Sequence, residues 1–102
     1  MAIRVQTEFI RGSSVRCIYY NYDDDKVLAD ATGVTITIKD PKGTIQVDTT
    51  AMTKTSTGIY EYYYDTTSSS IVGDYQMEVI STNSSKTSYY SGHFRLSAGI
   101  NE

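Results

Sequence analysis

The sequence is built from short runs in which apolar and polar residues alternate, each closed by a turn signal. The clearest run is Val34–Lys39, in which valine and isoleucine alternate with threonine and lysine. Because successive side chains of a β-strand point to opposite faces, this run predicts a strand with one buried face. Asp40-Pro41-Lys42-Gly43 follows, and its proline and glycine suit the second and fourth positions of a β-turn. Runs and turns recur roughly every 8–12 residues, which is typical of a sandwich or a barrel.

Further runs bring the predicted number of strands to about seven. They are Ile3–Ile10, Val15–Tyr22, Thr44–Asp48, Ile59–Asp65, Gly73–Ser81 and Lys86–Leu96. We expect Ile45 and Val47 to face the core and Thr49–Thr57 to form a looser connection. No window repeats apolar residues at helical spacing, whereas the abundant threonine and tyrosine suit strands. The predicted fold class is therefore all-β, with antiparallel strands.

Size and composition exclude several classes of protein. The chain has 102 residues, so we expect residues 1–102 to form one domain, with a core over about 3–96 and a frayed tail at 97–102. One histidine, one cysteine and no tryptophan leave no zinc cluster, haem attachment or disulfide framework. A net charge of −3 gives no electrostatic reason to bind nucleic acid or an anionic membrane. No apolar run approaches the roughly 18 residues of a membrane span, and the first residues lack the pattern of a secretory signal.

Several motifs together resemble the immunoglobulin-like sandwich domains of macroglobulin-type and bacterial surface proteins, and of tailed-phage virion proteins. In chain order they are Gly12, the acidic loop Asp23–Asp30, Val34–Ile38 with the turn after it, Gly58-Ile59-Tyr60-Glu61-Tyr62, Gly73-Asp74-Tyr75 and Phe94-Arg95-Leu96. The resemblance runs from Val5 to Leu96 and implies an immunoglobulin-like β-sandwich. The cysteine–tryptophan–cysteine core of antibody domains is absent, so the resemblance implies no antigen-receptor function.

The run Ile59–Asp65 is rich in tyrosine. Tyr60, Tyr62 and Tyr64 share one face of the predicted strand and are expected to pack into the core. Other tyrosines cannot all point inward, and they are the predicted interaction residues: Tyr20, Tyr22, Tyr63, Tyr89 and Tyr90. Exposed tyrosine is enriched at protein interfaces because its rigid ring offers contact area at low entropic cost. We therefore expect a tyrosine-bearing docking face, together with strand addition if the aromatic strand lies at a sheet edge.

The loop after the second predicted strand is acidic. Asp23, Asp25 and Asp30 supply the hard oxygen ligands that Ca²⁺ prefers, and they are the candidate metal ligands of this sequence. Their spacing does not match the EF-hand pattern. A solvated acidic loop without metal is the competing interpretation.

Neither the cysteine nor the histidine has the setting of a catalytic group. Cys17 alternates with Val15 and Tyr19, which predicts a buried free thiol. His93 precedes Phe94 and is expected to face solvent, because Phe94 and Leu96 face inward. No phosphate-binding glycine loop or nucleophile elbow occurs. We predict a non-enzyme without an organic cofactor.

The predicted function is that of a structural assembly protein. Its most concrete form is a virion component of a phage or archaeal virus, such as a capsid decoration or head–tail (neck) protein, made in the host cytoplasm. The partners would be other virion or scaffold proteins, or copies of the chain itself. The alternative is a cell-surface adhesin or carbohydrate-binding module within a longer extracellular protein, with calcium as a possible stabiliser.

Overall fold

The computed structural model describes residues 2–5, 8–23 and 25–98, with the backbone alone described at 2–5. The described residues form nine strands. These are β1 Ala2–Val5, β2 Glu8–Ile10, β3 Ser14–Tyr20, β4 Gly33–Lys39, β5 Ile45–Ala51, β6 Thr53–Ser56, β7 Ile59–Asp65, β8 Gly73–Asn83 and β9 Lys86–Ser97. No helix long and apolar enough to cross a membrane occurs in this part of the chain.

The strands form two sheets that face each other. One sheet has four strands in the order β1-β3-β7-β6, and the other has five in the order β2-β9-β8-β4-β5. Neighbouring strands run antiparallel in every pair except β2 and β9, which are parallel. This arrangement confirms the predicted all-β, immunoglobulin-like sandwich and adds one parallel edge to it.

The core lies between the sheets and is lined by the alternate residues that the sequence pattern predicts. Val34, Ile36 and Ile38 of β4 are at most 5% exposed. The rings of Tyr75 and Phe94 stack with their centroids 5.0 Å apart. The other buried apolar side chains are Val15, Cys17, Tyr19, Val47, Met52, Tyr60, Met77, Val79 and Leu96. Burying these side chains is the main stabilising contribution to the fold.

Two predicted segments each divide between the sheets, which raises the strand number from about seven to nine. The run Ile3–Ile10 splits into β1, which pairs with β3, and β2, which pairs with β9. The predicted loose connection Thr49–Thr57 is largely strand, because β5 extends to Ala51 and β6 follows at Thr53. Met52 marks this crossing: it is buried, and its N–H donates to the carbonyl of Val34 over 2.9 Å.

The prediction for Ile45 was wrong, whereas that for Val47 is confirmed. Ile45 is 47% exposed and Val47 is 7% exposed. The pairing of β4 with β5 shifts register twice, next to Ile38. A bulge of this kind changes which residues of the strand face the partner sheet, and Ile45 therefore lies opposite the exposed Lys39 on the outer face.

The turn at Asp40 is confirmed in detail. The Gly43 N–H donates to the Asp40 carbonyl over 3.0 Å, and Gly43 has a φ of 87°. The Asp40 carboxylate accepts the N–H groups of Lys42 and Thr44, each over 2.9 Å. An aspartate that bonds the backbone of its own turn fixes the loop locally, and this loop sets the register of β5.

A buried polar network that the sequence did not predict ties the end of β3 to its neighbours. Asn21 is 1% exposed, and its Oδ1 accepts the hydroxyls of Tyr19 over 3.1 Å and Ser81 over 3.2 Å. Its Nδ2 donates to the carbonyl of Ala29 over 2.7 Å and to Oδ1 of Asn83 over 3.3 Å. Because a buried amide costs free energy unless it is bonded, this network fixes where the acidic loop leaves the sandwich.

The predicted frayed tail falls only partly within the described residues. Ser97 belongs to β9, and its carbonyl accepts the N–H of Arg11 over 2.9 Å. β9 thus extends one residue beyond the predicted end of the core at 96, and fraying of the tail stays a prediction. Residues 99–102 lie outside the described part of the chain.

Candidate interaction surface

The structure distributes the five predicted interaction tyrosines over different surfaces. Tyr63 and Tyr89 are 51% and 65% exposed, and they lie on the outer faces of opposite sheets. Tyr20 is half-buried at the end of β3, in the same sheet as Tyr63, and Tyr22 is half-buried in a single bridge to Leu28. The chain therefore does not present all five rings on one docking face, and their role in binding stays a prediction.

Tyr90 faces inward rather than outward. It shares the inward side of β9 with Phe94 and Leu96, and its ring lies 5.5 Å from that of Tyr19 between centroids. It is half-buried and packs against the core. Strand alternation explains this position, because an exposed Tyr89 places the next residue on the opposite face.

The outer face of the four-stranded sheet brings aromatic, aliphatic and charged groups together. We call this surface the Tyr63 face. Cross-strand neighbours on it are Arg16 with Tyr63, Ile18 with Glu61, and Tyr20 with Ile59. Residues directly opposite in an antiparallel pair have Cβ atoms roughly 4.5–5.5 Å apart. The six side chains therefore form one continuous surface across β3 and β7.

Arg16 is held in place on the Tyr63 face. Its Nε donates to Oε2 of Glu61 over 2.9 Å, and this bond is the main reason that the pKa of Arg16 is raised. The Arg16 side chain is 53% exposed, whereas that of Glu61 is 19% exposed. Ser14 Oγ donates to Oδ1 of Asp65 at the end of the same two strands over 2.6 Å. An oriented guanidinium beside an exposed tyrosine is a pairing that protein interfaces favour.

Among the described residues, the aromatic strand is a sheet edge over only part of its length. β7 pairs along its whole length with β3, and β6 pairs with it from Ile59 to Glu61. Tyr60 is buried, and Tyr62 and Tyr64 pack against the core. The prediction that this face of the strand lies inward is confirmed, and β6 covers the half of its outer edge that lies next to Gly58.

The outer face of the five-stranded sheet carries a shallow groove of about 590 Å³. Charged and polar side chains line most of it, namely Thr37, Lys39, Asp74, Gln76, Glu78, Ser91 and His93. His93 is exposed, as predicted. Opposite charges are interspersed across this groove, so it presents no field of a single sign to a charged ligand.

The structure does not bring the three candidate calcium ligands together. Oδ1 of Asp23 accepts the N–H groups of Asp25 and Val27. Asp30 instead accepts Lys54 Nζ over 2.6 Å and the Gly58 N–H over 2.8 Å, and these two bonds lower its pKa. Among residues 8–23 and 25–98, no group of three histidine, cysteine or acidic side chains is placed to hold a metal. The carboxylate of Asp23 thus accepts hydrogen bonds from the backbone of its own loop, and that of Asp30 accepts them from Lys54 and Gly58.

Cys17 lies in the core, on the opposite sheet from His93, the only histidine of the sequence. It is fully buried, and burial raises the pKa of its thiol from 9.0 to about 12. His93 points away from the core on the other sheet. Since the thiolate is the reactive form of cysteine, the folded protein keeps this residue inert.

Alkylation of Cys17 measures this burial directly. At pH 8 we expect iodoacetamide to modify the folded protein at least about 100-fold more slowly than the urea-unfolded chain, because the thiol is both shielded and protonated. Mass spectrometry of quenched samples gives the two rates. Equal rates in the presence and absence of urea would contradict the buried position of Cys17.

The architecture described above matches a known sandwich. The crystal structure of the Lin-41 filamin domain superimposes with a TM-score of 0.68, covering 96% of this chain and 92% of that one at 18% sequence identity. No family model matches the sequence, and no curated protein matches it. At this identity the likeness is one of fold: the chain is an immunoglobulin-like β-sandwich of the kind seen in a filamin domain.

Proposed function

We propose that the protein is a non-catalytic interaction module that docks on another protein through the Tyr63 face. In its most specific form, the proposal is that it is a virion component, a capsid decoration or head–tail protein, of a phage or archaeal virus. Its partner would be another virion or scaffold protein. The observation that carries the docking proposal is the cross-strand pair of an exposed Tyr63 and an oriented Arg16.

The composition of the Tyr63 face supports a protein partner. Tyrosine and arginine are over-represented among the residues that dominate binding energy at protein interfaces. Ile18, Tyr20 and Ile59 are half-buried around them, and such a rim excludes water from the central contacts when a partner binds. No tryptophan is present to stack on sugars. These features favour a protein surface over a glycan as the occupant.

A sandwich domain with one docking face can also be repeated many times on the surface of a symmetric particle. In a symmetric particle, many weak contacts of one kind add through avidity, so each copy needs only a modest interface. The small size of the chain and the absence of a recognisable catalytic motif support this use. Sedimentation with virus particles tests docking and location together.

Removing the Tyr63 ring is expected to abolish most docking. We expect Tyr63→Ala to weaken co-sedimentation of the purified domain with virus particles from its source by about 30-fold or more, since truncating a central interface tyrosine commonly costs about 2 kcal/mol or more. The measurement is a sedimentation titration with labelled protein. Tyr63 is half exposed, so the variant should keep its fold, which a thermal melt verifies.

Ile45→Ala is the matched control. Ile45 is 47% exposed and lies on the other sheet, so its loss should leave sedimentation unchanged. Equal binding by wild type and Tyr63→Ala would contradict docking through this face. Saturable binding to a glycan array, lost in Tyr63→Ala, would replace the protein partner with a carbohydrate and favour the adhesin-type module.

A further inference from the structure

Within the described residues, one long sheet edge has no partner strand over most of its length. β2 covers β9 only from Arg95 to Ser97. From Lys86 to Phe94, β9 pairs with β8 on one side, and no strand of the described residues pairs with it on the other. β1 pairs with β3 in the opposite sheet. A row of backbone donors and acceptors therefore faces outward along this edge.

The ladder on either side of β9 identifies which residues present these groups. The Ser97 carbonyl points toward the β2 side, where it accepts the N–H of Arg11. Asn83 and Lys86 close the hairpin with β8, and in a two-residue hairpin the closing pair bonds inward to its partner strand. Backbone groups alternate in direction along a strand. The outward N–H and C=O groups thus belong to Thr87, Tyr89, Ser91 and His93.

This edge is regular, unlike the other edge of the same sheet. β8 and β9 pair at every position from Gly73 with Leu96 to Asn83 with Lys86, without a register shift. On the opposite edge, β5 carries two register shifts, and its Thr49 has a φ of 47°. Bulges of that kind blunt an edge against pairing, and proline does the same. The single proline of the chain is Pro41, which lies outside β9.

We propose that this edge binds the β9 edge of a second copy of the chain, antiparallel about a two-fold axis at Tyr90. The open stretch runs from Lys86 to Phe94, and Tyr90 is its midpoint. A two-fold axis there sets Thr87 opposite His93 and Tyr89 opposite Ser91 of the copy. All four outward-bonding residues then find partners, with about eight hydrogen bonds between the copies.

The length of the open stretch of β9 and the charges of its side chains favour a second copy of the chain as the partner. In this register the paired segment of each copy runs from Lys86 to Phe94, which is the part of β9 that β2 does not cover. The outward side chains of Thr87, Tyr89 and Ser91 carry no charge, and His93 lies opposite a threonine. Self-pairing therefore brings no like charges directly opposite each other, which would be unfavourable.

The dimer is independent of the proposed docking. It joins two five-stranded sheets into one continuous sheet and leaves the Tyr63 face of each copy on the other sheet, open to a partner. Failure of the dimer would leave docking untouched, and failure of docking would leave the dimer untouched.

Light scattering after size exclusion tests the dimer with a variant that changes one backbone donor. We expect the wild type to elute with about twice its 11.4 kDa mass at roughly 50 µM. Ser91→Pro removes an outward N–H and leaves the β8–β9 ladder in place, as edge prolines do. It should therefore dissociate the dimer at least tenfold more readily. Ser91→Ala keeps the N–H and should stay dimeric.

A second variant keeps the test decisive if the proline variant fails to fold. Tyr89→Lys places two lysines on either side of the two-fold axis, and like charges there should also yield a monomer. Circular dichroism confirms that each variant is folded. A monomeric wild type at this concentration, or a dimer that persists in both folded Ser91→Pro and folded Tyr89→Lys, would overturn the proposal.

Discussion

Replacing Gly58 with alanine is expected to destabilise the protein by about 2–5 kcal/mol. Gly58 has a φ of +72°, a conformation that costs an L-residue roughly 1–2 kcal/mol. A Cβ at this position would stand 2.7 Å from the backbone N of Ala29 and 2.9 Å from the carbonyl oxygen of Asn21. The Ala29 N–H donates a hydrogen bond to the Asn21 carbonyl. Moving these atoms apart to relieve the clash breaks this hydrogen bond, and its loss costs about 1–3 kcal/mol.

Urea unfolding with two other glycine variants separates these contributions. Gly43 has a φ of +87° with open space at its Cβ position, so Gly43→Ala should show the conformational cost alone, about 1–2 kcal/mol. Gly33 has neither the positive φ nor a near neighbour, and Gly33→Ala should change stability by less than about 1 kcal/mol. A Gly58→Ala variant as stable as Gly43→Ala would contradict the close approach of the acidic loop to the β6–β7 turn.

Replacing Asn21 with alanine is expected to cost about 3–4 kcal/mol, which is a large part of the stability of a domain of this size. The substitution leaves the hydroxyls of Tyr19 and Ser81 and the Ala29 carbonyl without their Asn21 partner. Each buried polar group that loses its partner costs roughly 1–3 kcal/mol. Water that enters the space offsets part of this cost.

Thermal melting checks the Asn21 prediction against variants at the rim of the same network. We expect Asn21→Ala to lower Tm by more than about 12 °C, at roughly 4 °C per kcal/mol for a chain of this length. Asn83 is only half-buried and shares one bond with Asn21, so Asn83→Ala should cost about 1 kcal/mol or less. Equal effects of the two variants would show that Asn21 does not organise the network.

The parts of the fold that depend on local pattern were predictable from the sequence. Strand alternation correctly assigned the buried faces of β3, β4 and β7, because the two-residue period is a property of the backbone itself. The Asp40 turn was predictable for the same reason, since proline, aspartate and glycine each act on their own dihedral angles. Gly58 and Gly73 both adopt positive φ, a backbone conformation that glycine accepts without steric cost.

The features that the sequence missed depend on contacts between distant segments. The division of Ile3–Ile10 between two sheets follows from which strand lies beside each half, and no local signal encodes that choice. Ile45 turned outward because of a bulge in β4–β5 pairing. The sequence places Asn21 in a strand between two tyrosines. It becomes the centre of a buried hydrogen-bond network only because Ser81 and Ala29 pack against it in the fold.

The candidate surface was predicted in part. The exposure of Tyr63 and Tyr89 follows from alternation within their strands, whereas Tyr90 faces the core. The pairing of Arg16 with Tyr63 was not predictable, because it depends on the register between β3 and β7. For the same reason the sequence could not indicate that Asp30 bonds Lys54 and Gly58 in place of a metal.

Hydroxyl-radical footprinting of the protein in virus particles from its source tests the central claim most directly. Oxidation of Tyr63 and of Ile45 is quantified by mass spectrometry in the particles and in the purified domain at the same protein concentration. The proposal predicts that the chain is present in the particles and that Tyr63 loses most of its reactivity there, while Ile45 keeps its own. Absence of the chain from the particles, or a Tyr63 as reactive in them as in the free domain, would contradict it.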